Sequence, residues 1–208
     1  MHIAIFASGG GSNFQAIAAA CIDGSIKGKV VLCVASRETA GVINRAHALD
    51  ISVHVLEGST SEWTSSLLDA LSFHAVDFIA LAGFMHMVPA DLVRAYPDRI
   101  VNIHPALLPS FGGKGMYGMN VHRAVVESGQ TESGATVHLV DENYDTGPIV
   151  AQDTVPVYPG DTPEDLAARV LNVEHRLYPS VVAAFADNRV SIEGRRVTIH
   201  PESDTSKL

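Results

Sequence analysis

The chain has 208 residues, 47% of them hydrophobic and 18% charged, with a formal net charge of −9. That is the make-up of one globular domain with ample chain to bury a core. The acidic balance without a basic stripe excludes nucleic acid and an anionic membrane surface as partners, and no apolar run approaches the roughly 18 residues that a bilayer span requires.

His2 to Ala7 is a short apolar run that ends in Ser-Gly-Gly-Gly, a buried strand followed by a turn. Residues 13–22 show helical spacing at Phe14, Ile17 and Ala18. Val30 to Ala35 predicts a second strand, Thr39 or Ala40 to Leu49 a helix, Ser52 to Leu56 a third strand, and Ser61 to Phe73 a helix carrying Trp63, Leu67, Leu68 and Leu71. Asp77 to Ala82 predicts a fourth strand that leads into Gly83-Phe84-Met85-His86-Met87. Pro89 opens a short helix to Tyr96, and Arg99 to Ile103 is the fifth strand. Strands alternating with helices at this spacing imply parallel β-α-β units in a doubly wound α/β sheet.

After residue 104 the pattern changes. A Gly-rich loop, Ser110-Phe-Gly-Gly-Lys-Gly-Met-Tyr-Gly, precedes a helix near Asn120 to Ser128. Ser133 to Val140 and Ile149 to Val157 read as antiparallel strands. A long helix from about Thr162 to Ala186 starts Thr-Pro-Glu, with Asp161 or Thr162 as its cap. The stretch beyond Gly194 is polar and reads as a tail.

Ser8-Gly9-Gly10-Gly11-Ser12-Asn13 joins the first strand to the first helix, where backbone amides and a helix N-terminus attract phosphate. It fits neither common nucleotide fingerprint: the third dinucleotide position is Phe14, and Gly-Lys-Ser/Thr is missing. The alternative is a tight turn with Ser12 as N-cap.

Asn-Ile-His-Pro at 102–105 and Asp145 in Asp-Glu-Asn-Tyr-Asp-Thr-Gly-Pro supply an amide, an imidazole and a carboxylate. In a strand, the period of two puts Asn102 and His104 on one face and Ile103 on the other, and Pro105 ends the strand. Open α/β sheets carry ligand crevices at such strand ends. These three groups suit acyl transfer to an amine. Asn102 and a charged His104 would donate to the carbonyl oxygen as it gains charge, while Asp145 would orient the imidazole, raise its pKa and take the amine's proton. Taken singly, each also fits strand-end, core or turn duty. His138 reads as a packed or hydrogen-bonded neighbour of the site. The remaining histidines form no ligand spacing, so no metal is expected.

Phe-Ala-Ser-Gly-Gly-Gly-Ser-Asn, Leu-Ala-Gly-Phe-Met, Asn-Ile-His-Pro-Ala-Leu-Leu-Pro-Ser-Phe and Asp-Glu-Asn-Tyr-Asp-Thr-Gly-Pro-Ile-Val together resemble the phosphoribosylglycinamide formyltransferase family, over about residues 2–190. The resemblance implies a Rossmann-like formyltransferase fold: a mostly parallel sheet with an antiparallel C-terminal strand and a long C-terminal helix. The domain would cover 1–193 and the tail 194–208. The implied reaction moves the formyl group of 10-formyltetrahydrofolate, a co-substrate, to the amine of 5'-phosphoribosylglycinamide in purine synthesis. Asn102, His104 and Asp145 match the catalytic trio. Gly11, Ser12 and Asn13 match the loop that holds the substrate's ribose phosphate, and Glu174 matches the acidic residue that binds its ribose hydroxyls. Met85, His86, Met87 and Val88, with Asn102 and the loop Asp141, Glu142, Asn143, Tyr144 and Asp145, match the folate pocket. Two departures stand out. Ser59-Thr60-Ser61 and His86 occupy positions where many members carry Arg, and Lys114 in the Gly-rich loop is a candidate contact for an anion.

The rival readings are a 10-formyltetrahydrofolate hydrolase and a non-catalytic nucleotide-binding module on the same sheet. The expected partners are small molecules only, with the chain a monomer or homodimer. Cys21 and Cys33 in apolar contexts read as reduced thiols, which with the lack of a secretion signal predicts a cytoplasmic protein. The closing Ser206-Lys207-Leu208 could be read by a peroxisomal import receptor and is taken as accidental.

Overall fold

The computed structural model describes residues 1–202, so the Ser-Lys-Leu end lies outside the described residues. Strands and helices alternate as β1 (His2–Ala7), α1 (Ser12–Ile22), β2 (Lys29–Ala35), α2 (Val42–Ala48), β3 (Ser52–Val55), α3 (Thr60–Phe73), β4 (Phe78–Leu81), α4 (Ala90–Ala95) and β5 (Ile100–His104). They continue with α5 (Met119–Ser128), β6 (Glu132–Leu139), β7 (Ile149–Pro156), α6 (Pro163–Ala186), β8 (Val190–Glu193) and β9 (Arg196–Ile199). The second helix starts later than its apolar spacing predicts. Ala40 is held instead in a turn, its N–H donating to the Arg37 carbonyl at 3.1 Å.

Seven strands form one sheet in the order β3-β2-β1-β4-β5-β6-β7. β3 to β5 are parallel, while β6 and β7 each run antiparallel to their neighbour. The period of two sorts each strand between two apolar layers. Ile3, Ile5 and Ala7 face a core shared with Phe14 and Ile17 of α1 and Val170, Tyr178 and Phe185 of α6. Ala4 and Phe6 face a second core with Trp63, Leu67 and Leu71 of α3 and Leu92 of α4. Val101 and Ile103 of β5 belong to the first layer. Asn102 and His104 therefore share the opposite face, at the strand end, as the alternation predicts.

α6 begins with Thr162 as its cap, the Thr162 hydroxyl accepting from the Asp165 N–H at 3.2 Å. From this helix the buried Tyr178 hydroxyl donates to the Leu81 carbonyl at 2.9 Å and lies 3.1 Å from that of Val101. The long helix is thereby fixed to the C-terminal end of β4 and the start of β5.

The expected polar tail from 194 is corrected. Gly194, at φ 61, turns a hairpin whose β9 pairs with β8 through Val190–Ile199 and Ile192–Val197. All four of those apolar side chains pack against the first core layer. That is enough to hold a strand whose other residues are polar. Arg195 then donates to the Thr146 carbonyl at 2.6 Å, tying the hairpin to the loop that carries Asp145.

Candidate active site

Strand order reverses between β1 and β4, and the loops that follow these two strands open a crevice there, as doubly wound sheets do. The two loops are joined: Ser8 N–H donates to the Gly83 carbonyl at 3.1 Å, and Met85 N–H donates to Ser8 Oγ at 2.9 Å. The resulting cavity of about 560 Å³ is lined by Gly9–Asn13, Asn102, His104, Asp145, Glu174 and the 113–118 loop, among others. A smaller annex of about 70 Å³ is lined by His86, Met87, Val88, Asn102, His138, Asp141, Asn143, Tyr144 and Asp145.

The glycine loop is shaped by steric need. Gly11 has φ 76, and a Cβ there would meet Val42 Cγ2 at 2.6 Å, so only glycine lets the loop lie against α2. Gly11 is also the N-cap of α1, with no side-chain cap bond. Ser12 is thus the first helical residue and not the cap, which corrects the tight-turn alternative and leaves the first-turn amides without an intrinsic partner. Asn13 is buried, its Nδ2 donating to Glu174 Oε2 at 2.6 Å across 161 residues of sequence, while its Oδ1 has no partner among the described residues. Burial pushes the Glu174 carboxyl up, and the Asn13 bond partly offsets this.

Asn102, His104 and Asp145 converge. His104 is 3% exposed, and its Nε2 donates to the Phe111 carbonyl at 2.8 Å. Its Nδ1 lies 3.6 Å from Asp145 Oδ2. That carboxylate oxygen also accepts from Gly113 N–H at 2.8 Å. Asp145 holds φ 56, a left-handed conformation that Asp tolerates better than most residues and that concentrates at functional sites.

His138 ties the trio together. Its Nδ1 donates to the Leu139 carbonyl at 2.7 Å, so the neutral ring accepts at Nε2 from Asn102 Nδ2, 3.0 Å away. That same Nε2 is 3.5 Å from Asp145 Oδ1, so a charged His138 would donate to the carboxylate. One of the two Asn102 amide hydrogens is left to face the cavity.

The electrostatics correct one expectation. Asp145 does push the His104 pKa up, but burial outweighs it and the net direction is down, with His138 adding to the lowering. The resting ring is therefore neutral, its proton on Nε2. For Asp145, burial would raise the pKa, yet the Gly113 N–H and the two imidazoles, His138 and His104, when protonated, together outweigh burial and lower it. The carboxylate stays ionised at neutral pH.

Of the residues expected in the site, Glu142 stands apart. It is exposed, lines neither cavity, and pairs with Arg94 at 3.2 Å. Asp141 shapes the turn, accepting from Asn143 N–H at 3.0 Å and Thr146 Oγ1 at 2.7 Å. Met85 lines the main cavity, and Val88 is buried in the annex. Where an Arg would serve a folate tail, Ser59 instead caps α3, its N–H donating to Glu62 Oε2 at 2.7 Å. His86 packs at a tilt of 46° against Phe84 and edge-on to Trp63, at centroid distances of 5.6 and 6.4 Å. Sequence reasoning missed Met116 and Tyr117 as lining residues, and His122, near the site in sequence, lines the cavity too. The run of glycines between a polar strand end and α5 was the available signal. Burial, reinforced by His104, holds the His122 imidazole down at about 4. Among the described residues no group of three or more His, Cys, Asp or Glu side chains is placed to hold a metal ion.

Residues 1–182 match the family described as Formyl transferase. The phosphoribosylglycinamide formyltransferase of Escherichia coli is 37% identical over 196 residues, which cover 92% of this chain and 90% of that protein. The chloroplastic phosphoribosylglycinamide formyltransferase of Arabidopsis thaliana is 50% identical over 193 residues, covering 90% of this chain and 66% of that longer protein. The crystal structure of glycinamide ribonucleotide transformylase 1 from Symbiobacterium toebii superposes with a TM-score of 0.90 at 38% identity, covering 97% of this chain and 94% of that one. The chain belongs to the formyl transferase family, in the branch of the phosphoribosylglycinamide formyltransferases.

Proposed function

We propose that the chain transfers the formyl group of 10-formyltetrahydrofolate to the amine of 5'-phosphoribosylglycinamide. One observation carries the reading. Asn102, His104 and Asp145 meet in a cavity that is also lined by the glycine loop and the Asn13–Glu174 pair. The annex beside Asn102 and Asp145, bounded by Val88 and the 141–145 turn, is the place for the pterin. Glu174 would accept from the ribose hydroxyls, and the α1 amides would hold the phosphate.

The amine nitrogen attacks the formyl carbon, and charge grows on the carbonyl oxygen. The free Asn102 amide hydrogen donates to that oxygen, an interaction worth about 3–4 kcal/mol in comparable oxyanion sites. The nitrogen, now cationic and strongly acidic, sheds its proton to Asp145, for which even a carboxylate of lowered pKa is base enough. From there the proton reaches His104 Nδ1, and the imidazolium formed beside Asp145 stabilises the oxyanion. Collapse breaks the bond from the formyl carbon to N10 of the folate, and N10 takes the proton as it leaves. The two free thiols, Cys21 and Cys33, support a reducing, cytoplasmic setting.

A spectrophotometric assay of folate product with and without the amine tests this. Tetrahydrofolate should appear in a one-to-one ratio with formylated amine and only when the amine is present. Formate released without it would make the protein a hydrolase, and no product in either arm would leave a binding module.

A further inference from the structure

A phosphate dianion entering this cavity meets two carboxylates, Asp145 and Glu174, in a chain of net charge −9. Backbone amides at a helix start supply only partial charge against that field. Among the described residues that line the cavity, Lys114 is the single Lys or Arg. The cation on the neighbouring helix is already engaged, since Arg45 Nε donates to the Gly10 carbonyl at 2.7 Å and the side chain lies outside the lining. Lys114 is exposed and makes no ion pair with a carboxylate among the described residues.

The loop that carries it is held in place. Gly113 and Gly115, at φ 96 and 90, flank Lys114, and neither has any atom within 4 Å of where a Cβ would lie. Glycine is needed there for backbone conformation and not for space. Gly113 N–H is fixed to Asp145 and the Phe111 carbonyl to His104, so Lys114 leaves the backbone one residue beyond an anchor. It lines the cavity of the glycine loop and is absent from the annex. The annex is the place proposed for the pterin, so the anion within reach of Lys114 is one bound in the cavity of the glycine loop.

We propose that Lys114 is the cation that completes the substrate-phosphate subsite in the cavity it shares with Gly9–Asn13. The inference rests on the preceding reading that the acceptor amine carries a phosphate. Its test therefore includes a measurement that needs no turnover: calorimetric binding of ribose 5-phosphate to the wild type, Lys114→Ala and Lys114→Arg.

Loss of one charge-assisted contact should weaken binding about tenfold in the Ala variant and leave the Arg variant within about twofold of wild type. In turnover, the KM for the phosphorylated amine should rise by about the same factor in Lys114→Ala, with kcat and the formylfolate KM within about twofold. Glycinamide ribonucleoside, which lacks the phosphate, should be used equally by wild type and Lys114→Ala. Equal ribose 5-phosphate affinity in wild type and Lys114→Ala overturns the assignment. So does an equal loss with phosphorylated and unphosphorylated amines, or a rise confined to the folate KM. Lys114-dependent binding of ribose 5-phosphate by a protein without transferase activity supports the assignment and removes the proposed reaction. Failure of the wild type to bind ribose 5-phosphate removes both.

Discussion

Two clefts of equal volume, about 560 Å³ each, lie at opposite ends of the β-strands. One, at the N-terminal ends, is lined by the last turn of α1, the starts of β2 and β3, and Phe73 and His74 after α3. The other, at the C-terminal ends, holds Asn102, His104, Asp145 and Glu174. Size does not separate them; convergence does. At the C-terminal ends, polar groups from α1, β5, α6 and two loops are bonded to one another across long sequence distances, as in the Asn13–Glu174 side-chain bond and the bond from Gly113 N–H to Asp145. The first cleft offers no such meeting of polar groups. Clefts of that size form wherever helices splay from a twisted sheet, whereas ligand chemistry needs the strand ends at the switch point.

Substitution can break that contrast. The largest effect is expected for His104→Ala and Asp145→Ala, each cutting kcat by about a hundredfold to ten-thousandfold with an unchanged circular dichroism spectrum. Lys29→Ala, in the other cleft, should leave kcat within about twofold. Near-normal turnover in either of the first two variants would remove that residue from the mechanism. A smaller, more selective change is expected for Asn13→Leu. It removes the buried bond to Glu174 and should raise the KM for the phosphorylated amine about tenfold with little change in kcat. A change in the folate KM alone would misplace the glycine loop.

The mildest effect lies in stability against pH. Burial holds the His122 pKa down at about 4 and lowers that of His104, so an unfolded chain binds these protons near pH 6.5 while the folded one resists them. The unfolded state then takes up more protons as the pH falls. Stability is full above about pH 6.5 and declines toward pH 4. Tm should drop by several degrees between about pH 7 and pH 5, less steeply in His122→Gln. An identical slope in the variant would show that another group carries the loss.

The alternating apolar runs up to residue 104 marked the parallel half of the sheet to within a few residues, because strands buried on both faces leave little other choice. Asn102 and His104 were legible as a same-face pair for the same reason, with Pro105 marking the strand end. The hairpin at 190–199 was not legible. Its apolar residues Val190, Ile192, Val197 and Ile199 are only half-buried, and each strand is four residues long, which leaves only two apolar positions to show the period. That burial outweighs Asp145 at His104 was not legible, because a neighbouring carboxylate is visible in a motif and the depth of burial is not.

The chain's order of residues determined by itself the strand-helix alternation, the glycine loop and the polar groups that carry the chemistry, since each follows from local periodicity and side-chain type. Only the tertiary structure decided that Glu174 meets Asn13, that Asp145 faces His104 while anchoring Gly113, and that Lys114 and the glycine loop line one cavity. Those contacts depend on where α6 and the two loops come to rest against β4 and β5. Packing of distant segments sets those positions, and no local spacing encodes them.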